Sequence, residues 1–383
     1  MINPYEGLPA SVGAYESARA DIIRDLLISL GYMWAPNRPM DPVQWFNRFG
    51  ERYAERVRRA QIEATLLAEW SVDNALVEQG AAASGATSLA AEAFAGTDGS
   101  HRPVLGQAYA FAGQVGGAVE GARAQGGDTS VALAEAWERA GASLMLATQT
   151  IISDTARSAK SVAMLERNTG WVRVLTPPSC SRCAVLAGKY FKSAMANFPR
   201  HPGCDCTQMP VADRDSFEFR AAFTGPGDYF ESLDRAEQDK IFTKAGAQAI
   251  RDGADINQVV NARRGMKTVT DKFGYRTSVT DEGTTKRGWA SKYLREGYNA
   301  KLQKIQGSRY RRVNRPRLSP EAIYNMADGD RDIALNLLHK NGYFTDASIS
   351  LDGTKSYYPR DAEMQLVTES ARDKLRIRGV SPP

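Results

Sequence analysis

The chain has 383 residues, 43% of them hydrophobic and 24% charged, with a net charge of +5, ordinary values for a soluble globular protein of two or three domains, or of one core with extended helical parts. No apolar run approaches the ~20 residues needed to cross a bilayer. The opening MINPYEGLPA lacks a basic segment followed by an apolar one, so neither a secretory signal nor a membrane partner is expected, and a reducing cytoplasm makes disulfides unexpected too.

Residues 11–30 read as a helix, with Ser11 as its cap and Ile22, Ile23, Leu26, Leu27 and Leu30 at helical spacing. WAPNRPMDP then breaks it, because three prolines cannot continue a helix. A long helix is predicted over 43–79, with Trp45, Phe49, Tyr53 and Trp70 spaced along it. The stretch 81–127 is dominated by Ala and Gly. It predicts thin, closely packed helices with mobile joints, since small side chains admit near backbone approach but bury little area. Over 129–167 the stripe Leu133, Ala136, Trp137, Ala140, Leu144 and Ala147 predicts another long helix.

The period then changes. Trp171, Arg173 and Leu175 alternate with Val172, Val174 and Thr176, which predicts a strand ending at a proline corner. Several short helices are expected over 213–265. The segment 288–306, GWASKYLREGYNAKLQKIQ, reads as a cationic helix. Two helices follow within 317–344, with Ser319 as cap, Pro320 at the first helical position and Glu321 in the first turn. The predicted fold class is mainly α with a small zinc-stapled α+β module. An N-terminal helical domain covers 1–168, the stapled module 169–265, and a basic helical region 266–383.

All four cysteines and one of the three histidines lie between Cys180 and Cys206. Cys180-x2-Cys183 forms a knuckle that turns two sulfurs onto one ion. His201-x2-Cys204-x-Cys206 supplies the other half, so five candidates stand for the four places of a tetrahedral zinc. The second half is either His201 with Cys206 or Cys204 with Cys206, the fifth residue standing outside the ion's own ligands. The plain alternatives are free buried cysteines or a disulfide. A site with all four places filled by protein folds a segment but holds no water to activate, so the zinc is expected to be structural.

No other catalytic set emerges. His-Glu-x-x-His, a Walker loop and G-x-G-x-x-G are all missing, and His101 and His339 read as structural. Residues 261–320 carry 16 Lys or Arg against 4 Asp or Glu, a net of +12, so the remainder sums to −7. Within this block Arg263, Arg264, Lys286, Arg287, Lys292, Arg295, Lys301, Lys304, Arg309, Arg311 and Arg312 are interleaved with Tyr and Trp. That pattern suits contact with nucleic acid, or docking on an acidic neighbour.

The motif C-S-R-C-x-x-L-A-G-K-x-F over Cys180–Phe191, followed by F-x-R-H-P-G-C-D-C-x-x-x-P over Phe198–Pro210, resembles the core of the Mu protein F-like family of phage head-morphogenesis proteins. Residues 249–266 and 317–344 further resemble its minor capsid branch in actinobacterial tailed phages. The resemblance implies a structural minor protein at the portal vertex inside the capsid, made in the bacterial host cytoplasm. It also implies as partners the phage portal protein, the major capsid or scaffolding protein, and packaged DNA. The rival expectation is a capsid maturation protease or a nuclease acting in head assembly.

Overall fold

The computed structural model describes residues 7–81, 88–192, 194, 198–213, 225–270, 274, 276–281, 302–304, 306, 311–313 and 316–344. The chain is mainly helical with small antiparallel sheets, and it divides into two compact units. The first comprises Met1–Ser179 with Ala187–Phe223, and the second Cys180–Leu186 with Thr224–Pro383.

Among the described residues, four α-helices build the first unit: α1 (Ala10–Met33), α2 (Pro42–Glu78), α3 (Val104–Ala124) and α4 (Thr129–Glu166). Asp41 caps α2 by accepting from the Gln44 amide at 2.9 Å, with Pro42 in the first turn, and Asp128 caps α4 through the Ser130 and Val131 amides. The expected Ser11 cap is corrected. Helix α1 begins one residue earlier behind Pro9, and Ser11 lies inside the first turn with its amide donated to Glu78 Oε1 at 3.1 Å. Helix α2 packs against the other three, presenting Tyr53, Val57, Ala60, Ala64, Ala68 and Val72 to a shared core. Helix α3 buries only Val104, Ala108, Ala112 and Val115, the thin packing expected of an Ala/Gly stretch. Three indoles lock the core where α1, α2 and α4 meet. The Trp34 ring stacks on Trp137 at 4.2 Å and meets the edge of Trp45 at 4.4 Å, and each indole N–H donates to a backbone carbonyl.

A three-stranded antiparallel sheet of order β2-β1-β3 completes this unit, from β1 (Gly170–Val174), β2 (Tyr190–Phe191) and β3 (Thr207–Val211). Trp171 faces Phe191 across β1–β2, and Val172 faces Met209 across β1–β3. Strand β1 is buried on both faces. Trp171 joins the helical core, while Val172 and Val174 form a second small core with Val12, Met209 and Val211. The proline corner that follows contains a cis Pro177–Pro178 bond.

The second unit holds the one-turn helix α5 (Ser181–Ala184) and α6 (Pro226–Ser232), α7 (Arg235–Phe242), α8 (Lys244–Arg251) and α9 (Ile256–Ala262). The hairpin β4 (Met266–Thr270) and β5 (Arg276–Thr280) pairs onward with β8 (Arg317–Leu318), and β6 (Leu302–Lys304) pairs with β7 (Arg311–Val313). Helices α10 (Pro320–Ala327) and α11 (Arg331–Lys340) close the unit, with Ser319 capping the Ala322 amide at 3.2 Å as expected. The expected cationic helix over 288–306 is corrected at its end: Leu302–Lys304 is a strand, and 288–301 and 305 lie outside the described residues. Strand pairing with residues nine or so further on overrides a local pattern that reads equally as helix. No described helix is long and apolar enough to cross a membrane.

Candidate metal centre

The two halves of the cysteine motif are loops of one small sheet. The knuckle runs between β1 and β2, and the 198–206 loop runs between β2 and β3. In the knuckle, the Cys183 and Ala184 amides both donate to the Cys180 carbonyl at 3.0 Å, making a single helical turn. Residues three apart on such a turn share a face, so both sulfurs point the same way. In the second loop, the Cys204 amide donates to the His201 carbonyl at 3.1 Å. Gly203 makes that turn at φ +71°, and a Cβ there would lie 3.0 Å from Leu146 Cδ1 of α4.

The five expected ligands come together as two overlapping triads. Cys180, Cys183 and His201 place their ligand atoms within 4.8 Å of one another, and so do Cys183, Cys204 and Cys206. Cys183, Cys204 and Cys206 are buried, while Cys180 and His201 are half-buried. Around an ion at ~2.3 Å, tetrahedral sulfurs stand roughly 3.8 Å apart, a spacing inside that 4.8 Å limit. His201 Nδ1 meets the Pro202 carbonyl at 2.8 Å. A carbonyl only accepts, so Nδ1 is the donor in this contact. The cluster can therefore hold a metal ion.

Sequence reasoning missed the cations that hold the second loop. Buried Arg157 of α4 donates from Nε to the Cys206 carbonyl at 3.2 Å and from Nη2 to the Cys204 carbonyl. Arg19 of α1 donates to the Asp205 carbonyl at 2.6 Å, and Arg173 of β1 to the Pro199 carbonyl. Lys160 of α4 donates to Thr207 Oγ1 at 3.2 Å and to the Gln208 carbonyl at 3.1 Å. Phe198 lies under two of these, 3.8 Å from the Arg173 guanidinium and 5.0 Å from that of Arg157. Glu16 pairs with Arg19 at 2.6 Å and Asp154 with Arg157 at 2.9 Å. Burial pushes the Lys160 ammonium down to about 7, helped by Arg19 and Arg157 and opposed by Glu16, while burial drives Tyr15, whose ring lies 3.3 Å from Lys160 Nζ, up to about 12. A signal existed for two of the four: Arg157 and Lys160 continue the α4 stripe that holds Ile152, Ala156, Ala159 and Ala163, so the helical period places them inside.

The basic block is less assembled. Arg263 and Arg264 are exposed on a 3₁₀ turn after α9, where Arg263 donates to Ser181 Oγ at 3.3 Å. Lys304 lies on β6, opposite Arg311 of β7, with Arg312 beside it. Lys286, Arg287, Lys292, Arg295, Lys301 and Arg309 lie outside the described residues. Arg317 belongs to the protein interior, donating to the carbonyls of Asn341 and Gly342 at 3.1 and 3.3 Å. Part of the block's charge is therefore structural.

No protein-family model matches the chain, and no curated protein or solved structure matches it either.

Proposed function

We propose that this chain is a zinc-stapled structural protein of a tailed-phage head, working at the portal vertex with the portal protein and the capsid or scaffolding shell. The observation that carries the proposal is the donor set. Four thiols and one imidazole gather in two overlapping triads, three of the thiols buried, and this soft combination suits zinc above the hard divalent ions. Protein ligands fill every place of a tetrahedral ion, so the metal fastens two loops that otherwise have little core and activates no water. The order and spacing of the motif over 180–210, which resembles the Mu protein F-like core, supports the place in the head. The basic residues of 261–320 suit a neutralising contact with packaged DNA.

Metal analysis of the purified full chain tests the staple: about one zinc per chain is expected, lost in Cys183→Ser together with protease resistance near 177–210. Co-expression with the cognate portal and capsid proteins tests the role. The chain should co-purify with the portal and leave the capsid protein uncut. Defined cleavage products would instead establish the protease reading, and failure to bind the portal would remove the head assignment.

A further inference from the structure

We infer that Arg157 is the positioning residue of the metal centre, and that the carbonyls it grips mark the ligands: Cys204 and Cys206 bind the ion together with Cys180 and Cys183, and His201 stands outside the four. The inference rests on the metal reading above and goes on to name its ligand set.

The backbone of the second loop carries the argument. Its carbonyls are claimed alternately by two different helices. Those of Cys204 and Cys206 go to Arg157, and that of Gln208 goes to Lys160, all from α4. The intervening Asp205 carbonyl goes instead to Arg19 of α1 at 2.6 Å and to the Thr176 hydroxyl at 3.2 Å. A period of two is the signature of extended chain, in which residues two apart also present their side chains on one face. One planar guanidinium bound to both carbonyls therefore holds the Cys204 and Cys206 sulfurs on a common side, where both come within 4.8 Å of Cys183 Sγ.

Arg157 is itself fixed. It is buried, its Nη1 donates to Asp154 Oδ1 at 2.9 Å, and Phe198 covers its face. Asp154 is held in turn by Arg200. The guanidinium thus has its third nitrogen and its flat face occupied, leaving Nε and Nη2 aimed at the loop. Lysine would not reproduce this, because an ammonium on a flexible stem has no planar fork to span two acceptors. Charge points the same way. Four thiolates around a divalent ion leave two negative charges, against one for three thiolates and an imidazole. A permanent cation bonded to the backbone of two ligands favours the more anionic set.

The test uses the full-length chain loaded with zinc or with cobalt(II). Zinc-edge X-ray absorption of the wild-type chain should give four sulfur neighbours at ~2.3 Å; three sulfurs and one nitrogen would overturn the ligand assignment. Arg157→Lys should keep its helical circular dichroism but bind cobalt about 10–100-fold more weakly in chelator competition, the range typical of residues that orient ligands. Its thiolate-to-cobalt charge-transfer absorption per bound ion should also fall. A folded Arg157→Lys with unchanged affinity and an unchanged cobalt spectrum would overturn the positioning role. Should that variant not fold, Asp154→Ala releases Nη1 while keeping the arginine: weakened cobalt binding supports the role, and unaltered binding overturns it. Wild-type chain that takes up neither ion overturns the metal reading itself, a result distinct from metal uptake with the wrong sulfur count.

Discussion

Replacing Gly141 by Ala sets two physical effects of opposite sign against each other. Gly141 lies inside α4, where exchanging glycine for alanine in an open helix stabilises by about 1 kcal/mol. The added Cβ, however, would stand 2.6 Å from Trp34 Nε1 and 2.7 Å from Trp34 Cδ1. Ordinary contact begins near 3.5 Å, so the indole must retreat by roughly 0.9 Å. It has little room to do so, because Trp137 stacks on it at 4.2 Å and Trp45 abuts it at 4.4 Å. Its N–H also donates to the Trp137 carbonyl at 2.9 Å. Overpacking of this kind costs about 1–3 kcal/mol, and a buried hydrogen bond lost in the retreat costs about 1–3 kcal/mol more. Net destabilisation of about 1–5 kcal/mol is expected after the helix gain is set against it. Guanidinium unfolding followed by tryptophan fluorescence reads the first unit through these indoles, and the midpoint should fall with the slope unchanged. Gly117→Ala is the matched control: Gly117 is exposed on α3 with nothing within 4 Å of its added Cβ, so it should gain about 0.5–1 kcal/mol. A raised midpoint for Gly141→Ala would refute the packing argument.

Further outcomes are expected elsewhere in the chain. Lys160 holds its proton less well folded (about 7) than unfolded (its ordinary 10.5), so the unfolded chain binds more protons between these values and stability should rise with pH from about 7 to 10.5. The slope contributed is at most about 1.4 kcal/mol per pH unit. Lys160→Met should remove that slope from the wild-type profile, and parallel wild-type and variant profiles would show that burial does not govern the group. Amides of 104–124 should exchange faster than those of 129–166, because α3 buries four small or branched side chains while α4 buries three times as many or more; equal protection would count against a marginal α3. Charge reversal at Arg309, Arg311 and Arg312 should weaken DNA binding. It should also flatten the salt slope, roughly −0.9 per neutralised phosphate, while leaving metal content intact. Portal binding lost with DNA affinity kept would mark the block as a docking surface.

Much of this architecture follows from local sequence alone. The periodicity of residues 11–30, 43–79 and 129–167 places α1, α2 and α4 to within a few residues, and Ser319 with Pro320 marks the start of α10, because caps and helical stripes act over one or two turns. The Cys180-x2-Cys183 spacing likewise sets a one-turn knuckle. What the tertiary structure decided is everything that joins residues far apart in the chain. Strand β3 exists because Thr207–Val211 pairs with β1, and β4 because it pairs with β5, although neither segment announces a strand. Strand β1 is legible from its alternation, but only the fold covers both its faces, with the helical core on one side and with Val12, Met209 and Val211 on the other. Arg157 reads as one more helical arginine until the fold brings it to carbonyls 47 and 49 residues further on. Its role depends on a guanidinium meeting two acceptors at once, and only the packing of α4 against the loop supplies that geometry.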